Sequence, residues 1–348
     1  MAMQRPIMNP TFLEEEFPAR KKKTFVDRLQ PLFKLLRFFG KILLWDPLAV
    51  RRVRALRIED GTPWQRFCWG LLYRLTFLPI FAALAVAALV YAGTHPRQNA
   101  NEVDPNSQGI YYDAVTLRTD DGVRLEAWLV PVFEADQILR QKELALRTNH
   151  PAVLLVHDFG HDREQMLPLV RPLHDAGFVV MVVAMRGAGA SQSAGSTFGL
   201  LESNDVKAAV AVLRKRPFVD PNRIAIVGVG AGANAGLLAA SDDAGIKALV
   251  LDHPQQLGNQ TLIDRIGPRY SSMNWMRPLC KWAFELSYQV HADDLDMLKY
   301  GTVISSRKVL MVSTNRPADF NPHVARSICK FLSASLLPED GTTVDASK

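Results

Sequence analysis

Cysteine is scarce in this 348-residue chain, which has only Cys68, Cys280 and Cys329. They form no C-x-x-C pair and no Cys/His spacing of a metal site, so no metal is expected. Net charge is missing from most of the chain. Residues 71–348 carry 27 Lys+Arg against 28 Asp+Glu, and residues 1–70 carry 14 against 7. The pI near 9.2 therefore describes the N-terminal segment. Nucleic acid is not an expected partner, because the basic residues precede an apolar segment rather than decorate a nucleic-acid fold. No internal repeat is present.

That first segment, residues 1–70, reads as cytoplasmic and basic. An acidic triplet, Glu14–Glu16, is followed by Arg20–Lys23. Phe25–Leu44 places apolar residues at helical spacing with Lys34, Arg37 and Lys41 between them. This predicts an amphipathic helix on an anionic membrane surface, or one packed on a partner. Leu75–Gly93 contains no charge, and Trp64, Trp69, Tyr73 and Tyr91 lie near its two ends. About 20 apolar residues cross a hydrocarbon core, so residues 71–93 are expected to form one transmembrane helix, a signal anchor. The preceding Lys/Arg excess predicts a cytoplasmic N-terminus and a C-terminal domain on the outer (periplasmic or extracellular) side. Membrane lipid is thus an expected partner.

Residues 94–112 form a polar linker, and residues 113–336 alternate strand and helix patterns. Asp113–Arg118 and Val123–Pro131 flank Thr119-Asp-Asp-Gly122 as a hairpin. Ala152–His157, Phe178–Met185, Arg223–Val227, Ile246–Asp252 and Lys308–Ser313 are short apolar runs suited to buried strands. Helical patterns at Met166–Gly177, Glu202–Arg216 and Asn321–Leu336 are interleaved with them. The expected class is α/β, with a doubly wound, mostly parallel sheet. Residues 254–302 break the alternation and read as an excursion over the sheet; residues 337–348 are a tail.

The chain is organised around Arg223–Gly236, RIAIVGVGAGANAG: strand, glycine-dense turn, helix. That is the setting of the G-x-S-x-G nucleophile elbow, with Gly228 and Gly232 as its flanking glycines and Gly230 in place of serine. Other motifs fall in matching order: Thr119–Pro131, Leu154–His161 (LLVHDFGH), Arg186–Ser191 (RGAGAS) and Gly199–Asp205 (GLLESND). On these motifs the chain resembles the α/β-hydrolase superfamily, particularly its membrane-anchored serine-peptidase-like or esterase-like members. The resemblance implies an oxyanion-loop region at His157, Asp158, Phe159 and Gly160, completed by Ala231.

It also implies a triad that these residues do not supply. Gly230 offers no nucleophile, and the family's His-Gly pair is His157-Asp158. Asp319 and His323 are displaced candidates for the acid and the base. The expectation is a catalytically inactive domain with no cofactor, binding a protein partner or an acyl or peptide ligand, the latter in a pocket left by the missing serine. Two alternatives stand. One is an active ester or amide hydrolase with an unconventional nucleophile, Cys280, Ser271 or Ser272 among the candidates. The other is a dinucleotide site using Gly228, Gly230 and Asp252 in a G-x-G-x-x-A pattern.

Overall fold

The computed structural model describes residues 62–95, 103–132, 149–254, 277–313 and 316–337. The expected helix Phe25–Leu44, residues 255–276 of the excursion with Ser271 and Ser272, and the tail after 337 lie outside them.

Helix α1, Pro63–Thr94, is one element of 32 residues that carries Pro79 within it. The expected span Leu75–Gly93 falls inside it, with the side chains of residues 75–78 outside the described set. Among the described residues, no helix is long and apolar enough to cross a membrane. The chain divides into two compact units between Leu84 and Ala85. The globular unit thus begins inside α1, earlier than the expected boundary at residue 113. The reason is packing: Val86, Val90 and Thr94 are buried with Phe198, Phe284 and Leu295 of that unit.

Seven strands form one sheet in the order β1-β2-β4-β3-β5-β6-β7. They are β1 (Asp113–Arg118), β2 (Arg124–Val130), β3 (His150–Val156), β4 (Val179–Ala184), β5 (Val219–Val229), β6 (Ile246–Asp252) and β7 (Lys308–Val312). β2 pairs antiparallel with β1 and β4, and every other pairing is parallel. Apolar runs such as VVMVVA in β4 are buried along their whole length, as strands covered on both faces must be.

Helices α3 (Glu202–Arg214) and α4 (Ala231–Asp242) cover one face, through Val206, Val210, Leu213 and Leu237. Helices α2 (Leu167–Asp175) and α7 (Pro322–Leu336) cover the other, through Leu169, Val170, Ile328 and Leu332. The described part of the excursion is helical: α5 (Arg277–Tyr288), two 3-10 turns and α6 (Gly301–Ser306) precede β7.

Three of the sequence motifs meet in one ion cluster around the buried Arg186. Arg186, from RGAGAS, donates from Nη2 to Asp205 at 2.6 Å and from Nη1 to Asp121 at 2.7 Å. Asp205 comes from the ESND helix entry and Asp121 from the hairpin turn. Against the cost of burial, these carboxylates hold the Arg186 guanidinium above its ordinary pKa. Burial pushes the Asp205 carboxyl up to about 6. The Arg186 backbone N–H and three guanidinium contacts all reach Asp205, and this favours the ion pair. These motifs tie the hairpin, β4 and α3 together.

Candidate functional site

The turn between β5 and α4 is built by its glycines. Gly230 sits at φ +54°, ψ −114°, which disfavours residues with side chains. A Cβ on Gly228 would lie 2.5 Å from the Gly232 carbonyl oxygen, and one on Gly232 would lie 2.5 Å from the carbonyl oxygens of Val156 and His157. Both glycines therefore let α4 approach the sheet closely. The Gly230 N–H donates to the Asp252 carbonyl at 2.8 Å, which fixes the turn against the end of β6.

The residue facing this turn is Asp158, in the loop after β3. Its Oδ1 accepts from the Phe159 N–H at 2.7 Å and from the Ala231 N–H at 2.8 Å. Ala231 opens α4, so the carboxylate also lies at the positive end of a 12-residue helix. In a hydrolase elbow the amide after the nucleophile and one from this loop would hold the oxyanion. Here a carboxylate of the chain itself occupies both donors. A Cβ built on Gly230 would overlap Asp158 Oδ1. The pocket expected in place of the serine is therefore filled by Asp158, a correction to the sequence reading. Space vacated at residue 230 is taken up by residue 158.

His157 is held by both ring nitrogens. Nδ1 lies 2.8 Å from the Asp158 carbonyl oxygen, and Nε2 accepts the Met185 N–H at 3.0 Å. These partners require the neutral tautomer protonated on Nδ1. Burial pushes its pKa below the ordinary value, in agreement with that form. His157 is a structural histidine of the loop. Gly160 has φ +76° and turns the chain toward exposed His161, whose Nδ1 lies 3.2 Å from the Phe159 carbonyl.

The displaced candidates do not join this group. Asp319 is exposed, and its N–H donates to the Arg316 carbonyl. His323 is exposed in the first turn of α7, where Asn321 Oδ1 caps its amide at 3.1 Å. Nor does Cys280 gain support as an alternative nucleophile. Cys280 is buried, free and raised in pKa by burial, so its thiol stays protonated. Cys329 is also free, and burial pushes it up to about 11.

The residue pair that sequence reasoning did not single out is Asp252–His253, at the end of β6. His253 Nδ1 lies 2.6 Å from Asp252 Oδ1, and Asp252 Oδ2 accepts the Ala318 N–H at 2.7 Å. His253 adopts φ +47°, an uncommon value for a residue with a side chain. The adjacency of the pair in sequence was the available signal. Asp252 is fully buried, and the first amide of α4 is engaged by Asp158. The acid and the helix N-terminus that a dinucleotide site would need are thus both committed internally.

Among the described residues, a small cavity lies at this end of the sheet. It has about 20 Å³, roughly one water, and is lined by His157, Asp162, Arg186, Gly189, Ser196 and Glu202. Glu202 closes it by accepting from the Thr197 N–H, the Gly199 N–H and the Thr197 hydroxyl. The larger groove, about 880 Å³, lies by Arg223, Ile246 and Lys308 at the opposite ends of the strands and contains no elbow residue. Among the described residues no cluster of His, Cys, Asp and Glu could hold a metal ion.

Residues 140–267 match the dienelactone hydrolase family. The uncharacterised protein YfhR of Salmonella typhi is 30% identical over 151 residues, covering 40% of this chain and 48% of that protein. The α/β hydrolase domain-containing protein WAV2 of Arabidopsis thaliana is 26% identical over 168 residues, covering 47% of this chain and 50% of that one. The chain spans about half the length of the curated relatives it matches. The esterase Pf2001 of Pyrococcus furiosus superposes with a TM-score of 0.52 at 17% identity, over 70% of this chain and 99% of that one. The chain has an α/β-hydrolase fold.

Proposed function

We propose that the protein is a membrane-anchored α/β-hydrolase-fold pseudoenzyme that binds or organises a protein partner at the membrane. The observation that carries the inactive reading is the Asp158 carboxylate, held by the Phe159 and Ala231 amides. An acyl-transfer transition state needs those donors free for its developing oxyanion, and a fixed negative charge there opposes it. Gly230 removes the nucleophile as well, and that loss alone costs on the order of a million-fold in such enzymes. An acyl or peptide ligand would bind outside the elbow rather than in it.

The anchor reading rests on the uncharged stretch Leu75–Gly93 and the Lys/Arg excess before it. It puts the N-terminus in the cytoplasm and the domain on the outer side. Protease added outside sealed cells should digest the domain while sparing the first 70 residues.

Hydrolysis of p-nitrophenyl acetate tests the inactive reading. The native chain is expected to be silent. Turnover that disappears in Asp158→Asn would overturn the reading.

A second reading, an active hydrolase with an unconventional nucleophile, is favoured by the Asp252–His253 pair beside Gly230. A carboxylate-oriented imidazole there has the form of a general base. Native turnover lost in His253→Ala and kept in Asp158→Asn would support it.

A further inference from the structure

Helix α5 is apolar on two faces. Cys280 and Phe284, one turn apart, are buried in the cluster that also holds Val86 and Val90 from the end of α1. Tyr288 continues that face, and its hydroxyl donates to Thr94 Oγ1 at 2.7 Å. On a different face, Leu279, Trp282 and Leu286 stand at i, i+3 and i+7 and are exposed by 45%, 63% and 63%. Lys281, around the helix from this row, links to Asp293 at 2.6 Å, so its charge is engaged along the protein surface.

The position of α5 beside α1 says what meets this row. A hydrocarbon core of about 30 Å takes about 20 helical residues. The 19-residue uncharged stretch Leu75–Gly93 only just reaches that length, and its last turns are the ones packed on α5. Val86 to Thr94 rises about 12 Å along the helix. If α1 crosses the bilayer, α5 stands alongside its outer end, at the depth where the membrane interface lies. Trp and Leu on one exposed face suit that layer, where such helices bury their apolar side about 5–10 Å deep.

We propose that α5 lies in the outer interfacial layer of the lipid bilayer, with Leu279, Trp282 and Leu286 inserted among the acyl chains next to the headgroups. This rests on the membrane-anchor reading of α1.

The test uses the full chain in phosphatidylcholine nanodiscs loaded at one copy per disc. Leu286→Cys, in a chain whose native cysteines are replaced by alanine, carries an environment-sensitive nitrobenzoxadiazole label. Lipids bearing a nitroxide near the headgroup are expected to quench it more than lipids bearing one at mid-chain. The same label at Asp120→Cys, in the exposed hairpin turn, is expected to stay unquenched by either. Hydroxyl-radical footprinting of the unaltered chain gives a second readout. Trp282 should be protected and exposed Tyr111 oxidised.

A water-like, unquenched label with Trp282 oxidised overturns the proposal. A blue-shifted label that no lipid nitroxide quenches also overturns it, because protein then covers the row. Alkaline carbonate extraction separates the two readings. A chain that resists extraction while its label stays in water retains the anchor and loses the α5 proposal. A chain that is extracted loses the anchor itself.

Discussion

The Asp158 carboxylate occupies the space that a side chain on Gly230 would fill. Asp158 Oδ1 is fixed by the Phe159 and Ala231 amides, and a Cβ at residue 230 would overlap it. Each residue is thus the condition for the other: glycine at 230 admits the carboxylate, and the carboxylate leaves room only for glycine. The glycine of the turn and the capture of the two amides by Asp158 are one packing solution.

That coupling sets the behaviour of Gly230→Ser. Alone, it is expected to destabilise the protein, both through the positive φ of Gly230 and through the overlap with Asp158. Asp158→Gly removes the overlap, so the double variant should be more stable than the sum of the single effects, by about 1–3 kcal/mol. Urea unfolding of the four proteins measures this. Strict additivity would show that the two residues do not share the space. The double variant is also the one in which to look for hydrolysis, since Gly230→Ser alone leaves the donors occupied.

Removing the carboxylate should leave two amide donors open at the start of α4. Asp158→Gly is expected to lose about 1–3 kcal/mol, as a charge-assisted hydrogen-bond pair does. Formate should recover part of that loss by binding the same amides, raising the Tm of the variant more than that of the native protein. Equal shifts would mean that the amides found another partner.

Much of this fold was legible in the sequence because buried parallel strands leave an unambiguous trace. Ile246–Asp252 was expected as a strand and is β6, and the expected helix Asn321–Leu336 is α7 less its cap. The elbow was legible from the spacing of Gly228, Gly230 and Gly232. What spacing does not carry is the partner of a vacancy. A missing serine suggested a pocket, but only side-chain geometry shows the carboxylate of Asp158 in it. The start of the globular unit was hidden for a related reason. Val86 and Val90 suit lipid and a protein core equally, so hydropathy does not mark where α1 begins to pack on Phe198 and Phe284.

The Arg186 cluster predicts a sharp loss of stability on truncation. Arg186→Met would leave the fully buried Asp205 carboxylate without its cation, at a cost of about 3–5 kcal/mol. Arg186→Lys should recover only part, because one ammonium does not reproduce the fork spread over Asp205 and Asp121. Chemical denaturation of both variants checks the order.

His157 predicts an acid limit. Its folded pKa lies below the ordinary 6.5, so below that pH the unfolded chain binds more protons than the folded one. The stability it contributes is present above pH 6.5 and is lost as pH falls toward the folded value. A Tm profile from pH 8 to 5 should therefore fall more steeply for the native protein than for His157→Asn. The difference isolates the imidazole, because the Asp205 carboxyl, pushed up to about 6 by burial, titrates in both proteins. Parallel profiles would sink the assignment.

The end of α1 predicts where the domain can be cut. Val86 and Val90 are 8% and 3% exposed against Phe198, Phe284 and Leu295. Burying a valine contributes about 1.5–3 kcal/mol. Thr94 adds polar ties: its carbonyl accepts the Ser196 N–H at 2.7 Å, and its hydroxyl oxygen accepts from Tyr288. A fragment starting at Ala85 keeps all of these, and one starting at Pro96 loses them while retaining the whole sheet. The shorter fragment is expected to melt at a lower temperature and to bind a hydrophobic dye through the uncovered Phe198 and Phe284. Tyr288→Phe in the longer fragment should cost about 1 kcal/mol, the share of a single hydrogen bond. If both fragments melt together and neither binds dye, the last turns of α1 are no part of the domain, which begins after them.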